Sequence, residues 1–176
     1  MYHYSKLAHF KKISTDGYIK PATAGVPAGE KPAVWLSSDE KWEATALIPN
    51  CMDKEKIDIF LPIRFKLKES LLTNYNIAIV SWNKHKKHGG IPREVAENLE
   101  KAALVQGSNS KKWFCCYTDI PLECFELPEA FDGRGWVSTD KIEEIIKSYK
   151  VYGKEQFYYT PSSIRRPSRL KKFNLR

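Results

Sequence analysis

Four short segments within the first 46 residues combine polar and aromatic side chains that could bind a nucleotide. They are residues 2–5 (YHYS), 16–19 (DGYI), 34–38 (VWLSS) and 42–46 (WEATA). Histidine and serine side chains can hydrogen-bond to ribose and amide groups, and an aromatic ring can stack on a flat heterocycle. A carboxylate such as Glu43 can stabilise positive charge that develops as a bond breaks. The four segments therefore favour a nucleotide pocket near the start of the chain.

Local sequence signals place these polar groups at the ends of strands. Residues 1–4 are apolar and aromatic enough to predict a short opening strand. Residues 21–32 contain three prolines and two glycines, which predicts a loop, and a second strand follows at 33–37. His3 would then lie at the end of the first strand, and Ser37 at the end of the second.

The remaining signals predict a mixed α+β domain with strands concentrated in the middle of the chain. Ser5 is predicted to cap a first helix, which residues 16–17 (DG) should end. Pro92 should open a longer helix that ends at Gly107. Pro62 argues for a break, an edge position or a bulge in its strand. The other predictions are a turn leading into a helix or irregular segment at 39–46, strands at 57–67, 77–82 and 113–118, a loop at 84–90, and a final helix from Asp140.

Residues 1–46 resemble the ADP-ribosyltransferase superfamily, and most of all the short bacterial and phage enzymes and toxins that open with a Tyr-His-[Tyr/Ile]-[Ser/Thr] strand. The resemblance implies a split, mostly antiparallel β core with flanking helices, covering residues 1–162. It also implies NAD as co-substrate and the role of a cytoplasmic toxin or antiphage effector. A neutralising antitoxin would then be one of the protein's partners.

The resemblance assigns roles to individual residues of the opening segments. His3 matches the histidine that contacts the ribose of NAD, and the strand ending at Ser37 matches the one that supports the nicotinamide pocket. Tyr18 is the candidate for the ring that stacks on nicotinamide. The complete set of candidate NAD-binding residues is His3, Tyr4, Ser5, Tyr18, Trp35 and Ser37.

The sequence departs from the family pattern at the late acidic residue, which stabilises the charged ribose and orients the acceptor. The third motif should begin the strand at 112–115 (KWFC), where no glutamate stands. Asp119 and Glu123 are the nearest acidic residues, and Glu43 is a third candidate. These three residues are the predicted alternatives for the catalytic acid.

Each candidate also has a purely structural interpretation. His3 could be a core or capping histidine, and Ser37 could belong to a turn at the end of a strand. Trp35 and Trp42 could be core residues, and the three acidic candidates could be surface residues. A second pair of histidines, His85 and His88, is predicted to lie in a mobile basic loop, with a ribonuclease-type acid and base as the less favoured reading.

The net charge of +8 is concentrated in two basic segments. Residues 163–176 carry six cations and no acid, which leaves only +2 for the rest of the chain. Basic clusters favour a polyanion such as nucleic acid. The candidate nucleic-acid-binding residues are Lys84, Lys86 and Lys87 in the first segment and Arg165, Arg166, Arg169, Lys171 and Lys172 in the C-terminal arm.

Aromatic residues beside this arm indicate which nucleic acid it would bind. Residues 157–159 (FYY) precede the arm and Phe173 lies within it. Aromatic rings next to cations can stack on unpaired bases, which favours RNA or single-stranded DNA as the acceptor over plain duplex. The alternatives are a solvated tail, a nucleic-acid-binding module without catalysis, a transferase with a protein target, and a docking domain for an acidic protein.

Cysteine usage and hydropathy define what else is expected of the chain. The four cysteines form no CxxC pair and have no matching histidine spacing, so reduced thiols are predicted rather than a metal site. No run of about 18 apolar residues could span a membrane. The first twelve residues also lack the apolar segment of a secretory signal, and a cytoplasmic location is predicted.

Overall fold

The structure is a computed structural model that describes residues 1–46, 61–132 and 135–144. The C-terminal arm at 163–176, the aromatic residues at 157–159 and most of the final helix lie outside the described residues. The described residues also exclude Cys51 and the first part, residues 57–60, of the strand predicted at 57–67. The predicted boundary between a domain at 1–162 and the arm therefore stays a prediction.

Seven strands of the described residues form one sheet in the order β5-β6-β3-β1-β4-β8-β9. Each neighbouring pair in this order is antiparallel. The strands are β1 (Tyr2–Lys6), β3 (Val34–Ser37), β4 (Pro62–Lys66), β5 (Val80–Ser81), β6 (Trp113–Cys116), β8 (Glu129–Phe131) and β9 (Trp136–Ser138). Two short strands, β2 (Tyr18–Ile19) and β7 (Ile120–Pro121), pair separately. The mixed α+β class with a mostly antiparallel sheet is confirmed.

Three complete α-helices accompany the sheet in the described part of the chain: α1 (Leu7–Asp16), α2 (Trp82–His88) and α3 (Arg93–Gln106). Residues 142–144 are also helical, at the position of the predicted final helix. Helix α1 packs Leu7, Phe10 and Ile13 against the main core, as their spacing predicts. It ends at Gly17 and α3 ends at Gly107, both with φ of 80°. A left-handed residue of this kind closes a helix, and glycine adopts that conformation without a Cβ clash.

The two faces of the sheet carry different cores because neighbouring residues of a strand point to opposite sides. One face bears the main apolar core, which includes Val34, Leu36, Ile63, Phe65, Cys116 and Ala130. The other face bears two aromatic clusters. One contains Trp82 and Trp113 with Trp35 against them, and the other contains Tyr2 and Tyr4 with Trp42 and Trp136.

Several predicted elements differ from those of the structure. Ser5 lies inside β1, and the N-cap of α1 is Lys6, which makes no side-chain cap. The predicted strand at 77–82 is reduced to Val80–Ser81, because Trp82 begins α2. Pro62 is the first residue of β4, a position where proline spares a ladder hydrogen bond, and Leu61 lies outside the strand, as a break predicts. Because β4 lies between β1 and β8, the alternative of an edge position is wrong.

The basic segment Lys84–His88 was predicted as a loop, and the structure corrects this. It belongs to α2, and the two glycines that suggested a loop follow the helix instead. Residues 39–46 form turns and bends, and residues 136–138 form β9 before a 3₁₀ turn at Thr139–Lys141.

Cys115, Cys116 and Cys124 are free and buried, as predicted for reduced thiols. Burial raises the pKa of the Cys115 thiol to about 11, which disfavours its reactive thiolate form. No group of three or more potential metal ligands occurs within the described residues. The same residues contain no helix that is long and apolar enough to cross a membrane.

Candidate functional site

A cleft of about 690 Å³ opens beside β1 and β3 and gathers residues from the first 46 positions. Its walls come from β1, α1, β2, the loop before β3, β3 itself and residues 43–46, with further contacts from α2, α3 and β6. Within the described chain, β1 is in register with β3 only at Tyr2 and Ser37, although it pairs with β4 along its whole length. This partial pairing leaves the rest of the facing strand edges available to the cleft.

His3 bridges the two strands next to the point where their backbone pairing ends. Its Nδ1 donates a hydrogen bond to the carbonyl oxygen of Trp35 at 2.9 Å. Burial is the main cause that lowers the pKa of His3 to about 4, although the Trp35 carbonyl opposes the shift. With its proton on Nδ1, the neutral ring keeps Nε2 as a hydrogen-bond acceptor at the cleft. His3 thus joins β1 to β3 at the wall of the cleft, and its contact with a ribose stays a prediction.

Glu43 is the centre of a buried polar cluster in the same cleft, and only 4% of it is exposed. One carboxylate oxygen accepts hydrogen bonds from Ser37 Oγ at 3.0 Å and Trp113 Nε1 at 3.1 Å. The other accepts from Ser108 Oγ at 2.6 Å, from the Thr45 amide at 3.2 Å, and from the Thr45 hydroxyl. We call Glu43, Ser37, Thr45, Ser108 and Trp113 the Glu43 cluster.

All five donors to Glu43 are neutral groups. Hydrogen bonds to a carboxylate compensate for the water that burial removes, and they do so without cancelling its negative charge. The carboxylate is thus held in one orientation in the wall of the cleft. Such a group suits electrostatic stabilisation of a nearby positive charge better than it suits proton transfer.

The remaining candidate nucleotide-binding residues also line the cleft. Tyr18 is 41% exposed, which leaves its ring accessible for stacking. Ser5 is buried in β1, and Trp35 is partly buried against α2. Tyr4 is the least available, because its hydroxyl donates to the carbonyl of Asp39 and its ring packs 5.7 Å from Trp136.

Asp119 and Glu123 are not brought into the cleft. Both are exposed and lie beside β7. Glu123 is close enough to Tyr75 to raise the pKa of that phenol through a side-chain hydrogen bond, and the Glu123 carbonyl accepts from Lys68 Nζ at 3.3 Å. Of the three predicted acids, Glu43 alone lines the cleft with the predicted nucleotide-binding residues.

A second buried cluster borders the cleft, and the sequence patterns did not predict it. His85 is completely buried, with Nε2 at 2.9 Å from Glu30 Oε1 and Nδ1 at 3.0 Å from the Tyr117 hydroxyl. The Cys115 sulfur lies 3.6 Å from the same Nδ1. We call Glu30, His85, Cys115 and Tyr117 the His85 cluster.

Desolvation is the main cause that raises the pKa of the Tyr117 phenol to about 12, so this hydroxyl keeps its proton and can donate to Nδ1. The Nε2–H of His85 then donates to Glu30. Two tryptophans enclose the imidazole: Trp82 lies parallel to it at 5.8 Å, and Trp35 meets it edge-on at 5.0 Å. His85 is therefore a satisfied core histidine, and the loop position predicted for it is wrong.

The His85 cluster also fastens the loop before β3, which forms part of the cleft wall. The Lys31 amide donates to the Gly89 carbonyl at 2.7 Å. Gly90 has a φ of 80°, and a Cβ added to it would lie 2.0 Å from the Gly29 carbonyl oxygen. Only glycine allows the two backbones to approach this closely.

The sequence contained one signal for the helix α2 that carries His85. Lys84, Lys87 and His88 have the spacing that places side chains on one face of a helix, and all three are exposed.

Part of the predicted nucleic-acid surface is visible on α2. Lys84 and Lys87 are exposed, whereas Lys86 forms an ion pair with Glu100 at 2.6 Å. The remaining predicted cations, Arg165, Arg166, Arg169, Lys171 and Lys172, lie outside the described residues.

The chain gives no match to any protein-family profile, curated protein sequence or solved structure. The function of the cleft is therefore inferred from its own residues.

Proposed function

We propose that the chain is an NAD-dependent ADP-ribosyltransferase that binds NAD in this cleft and transfers ADP-ribose to nucleic acid, either RNA or single-stranded DNA. The observation that supports it is the convergence of His3, Tyr18, Ser37 and Glu43 on one cleft, although they come from four separate segments. Convergence of a hydrogen-bonding histidine, an accessible ring and a carboxylate in one concave site favours a nucleotide ligand.

Each residue has a task that its geometry supports. The Nε2 atom of His3 can accept a hydrogen bond from a ribose hydroxyl, because its Nδ1 proton is committed to Trp35. The exposed ring of Tyr18 can stack on the nicotinamide. Ser37 is tied to Glu43, so its role is to hold the carboxylate in place.

Cleavage of the bond between nicotinamide and ribose leaves the electron pair on the nicotinamide nitrogen and builds positive charge on the ribose. The fixed negative charge of Glu43 stabilises that charge without moving a proton. A nucleophile of the acceptor then attacks the anomeric carbon and loses its own proton to the surroundings.

The distribution of basic residues supports nucleic acid as the acceptor. Lys84 and Lys87 form an exposed basic face on α2, and the sequence places six further cations in residues 163–176. Such cations bind phosphates with an affinity that falls steeply with salt.

The test is incubation with NAD labelled in the adenylate half, with RNA, single-stranded DNA and protein supplied separately. We expect label on a nucleic acid, loss of labelling in Glu43→Gln, and retention in Glu123→Gln and Asp119→Asn. No label on any acceptor, with the NAD intact, would overturn the proposal.

Two other outcomes would identify the alternatives. Salt-sensitive nucleic-acid binding that survives His3→Ala, without any transfer, would identify a binding module. Label confined to protein would retain the transferase and reject the proposed acceptor.

A further inference from the structure

One wall of the cleft carries a row of basic side chains that has no assigned role. Lys6, His9 and Lys12 all line the cleft. Lys6 is the N-cap of α1, and the other two follow at intervals of three residues. Residues three apart are neighbours on a helix surface, so His9 and Lys12 lie side by side along α1, and Lys6 lines the cleft at the N-terminus of the helix. We call these residues the α1 strip.

The acidic residues of the cleft are engaged by other partners. Asp16 accepts from Lys20 at 2.9 Å, and Glu30 bonds to His85. Glu43 is held by its five neutral donors. The first turn of α1 contains no acidic residue. Positive charge therefore predominates along the wall that α1 contributes.

The α1 strip lies close to the residues assigned to the nucleoside part of the ligand. After burial, the proximity of His9 is a further cause that lowers the pKa of His3. Ile13, one residue beyond the strip, and Tyr18, just after α1, line the same cleft. A ligand in contact with His3 and Tyr18 would thus pass along the strip.

We infer that the α1 strip binds the diphosphate group of a dinucleotide in this cleft. This assignment rests on the proposed function, because a nucleotide is what the adjoining residues are suited to hold. A diphosphate carries two adjacent negative groups with several acceptor oxygens, and lysine binds phosphate as a point charge. A set of only three basic side chains fits a small diphosphate better than it fits the long backbone of a polymer.

Residues Lys11 and Lys12 provide a matched pair of variants. Both lysines are exposed on α1, but Lys12 lines the cleft and Lys11 does not. Lys11→Gln and Lys12→Gln remove the same charge from adjacent positions with nearly the same helix propensity. A difference between the two variants therefore reports on the cleft and not on net charge.

The experiment is calorimetric titration of the full chain with ADP and with adenosine, at low and at physiological salt. We expect ADP to bind more tightly than adenosine, with a difference that shrinks as salt rises. Lys12→Gln should weaken the binding of ADP about five- to tenfold and leave the binding of adenosine unchanged. Lys11→Gln should change neither affinity.

Three results would overturn the inference. They are ADP binding no more tightly than adenosine, equal losses in the two variants, and a Lys12→Gln effect on a single-stranded oligonucleotide without an effect on ADP. The last would assign the strip to the acceptor instead. Because ADP binding is measured without turnover, Lys12-dependent binding in a protein that never transfers ADP-ribose would reject the transferase and keep the diphosphate site.

Discussion

The two buried polar clusters beside the cleft satisfy the hydrogen-bonding needs of their buried atoms in different ways. In the Glu43 cluster, five neutral donors converge on one carboxylate from β3, β6, the end of α3 and the turn at 43–45. In the His85 cluster, a carboxylate, an imidazole and a phenol form a linear chain. Both clusters satisfy buried polar atoms. The carboxylate of Glu30 bonds to an imidazole, whereas that of Glu43 bonds only to hydroxyl, indole and amide donors.

This difference separates a chemical role from a positioning role. Glu43 is held in one orientation by its partners. Glu30 is directed at His85 in α2, and this bond, together with that from the Lys31 amide to the Gly89 carbonyl, holds the loop before β3 against the end of α2. Under the proposed function, the first cluster would act on the ligand and the second would shape the wall of the cleft.

The largest effect on stability is expected from Glu43→Ala. Removal of the carboxylate leaves three hydroxyls, one indole and one backbone amide without their acceptor. Because each unsatisfied group costs about 1–3 kcal/mol, the free energy of unfolding should fall by more than about 3 kcal/mol in urea titrations. The control is Glu123→Ala at an exposed position, which should change the free energy of unfolding by less than about 0.5 kcal/mol. Equal losses in the two variants would contradict the description of the Glu43 cluster.

A smaller effect is expected from Glu30→Ala, since a linear chain loses only one hydrogen bond when its end is removed. The Nε2 of His85 would be left without its acceptor, at a cost of about 1–3 kcal/mol by urea unfolding. Glu30→Gln keeps an acceptor oxygen at this position and should recover part of the loss. If Glu30→Ala lowered the free energy of unfolding more than Glu43→Ala does, the Glu43 cluster would not be the more stabilising of the two.

A pH effect is expected at His3, which bonds to the carbonyl of Trp35, a residue whose ring contacts that of His85. Its folded pKa of about 4 is below its ordinary value of 6.5, so the unfolded chain binds more protons between these values. The stability due to His3 is therefore present above pH 6.5 and is lost as the pH falls towards 4. Between these pH values, His3 should change the free energy of unfolding by at most about 1.4 kcal/mol per pH unit.

His3→Asn is the matched variant for this measurement, because its amide can still donate to the Trp35 carbonyl but does not titrate. Urea unfolding at several pH values should show a shallower decline for the variant below pH 6.5. Parallel curves for the two proteins would show that His3 titrates equally in both states.

The smallest effect is expected from Tyr117→Phe, which removes one hydrogen bond from the accessible end of the His85 chain. The phenol is partly exposed, so its loss should cost about 0.5–1.5 kcal/mol. Thermal unfolding should show a correspondingly small shift in Tm. If the same change abolished nucleotide binding, Tyr117 would have to be placed in direct contact with the ligand.

Local signals were sufficient for much of the framework. The opening strand, the end of α1 at Gly17, the strand that ends at Ser37 and the helix between Pro92 and Gly107 are all in place. Each depends on neighbouring residues alone: alternating apolar side chains, a proline before a helix or a glycine after it. His3, Tyr18, Ser37 and Glu43 line one cleft, and the binding of NAD by these residues stays a prediction.

The burial of His85 was decided by tertiary structure. A run of lysines and histidines before two glycines has the composition of a solvated loop. It forms a helix because Trp82 and His85, three residues apart, can pack on Trp35 and Trp113 from distant strands. Packing energy of this kind comes from residues far along the chain and overrides the local preference.

The sequence by itself determined which residues of the first 46 could bind a nucleotide, because residue type and strand position are local properties. Only the tertiary structure decided which acid joins them. Glu43 is held in place by hydrogen bonds from Ser108 and Trp113, which lie 65 and 70 positions away. Hydrogen bonds over such separations depend on how strands and helices meet, and no local pattern records them.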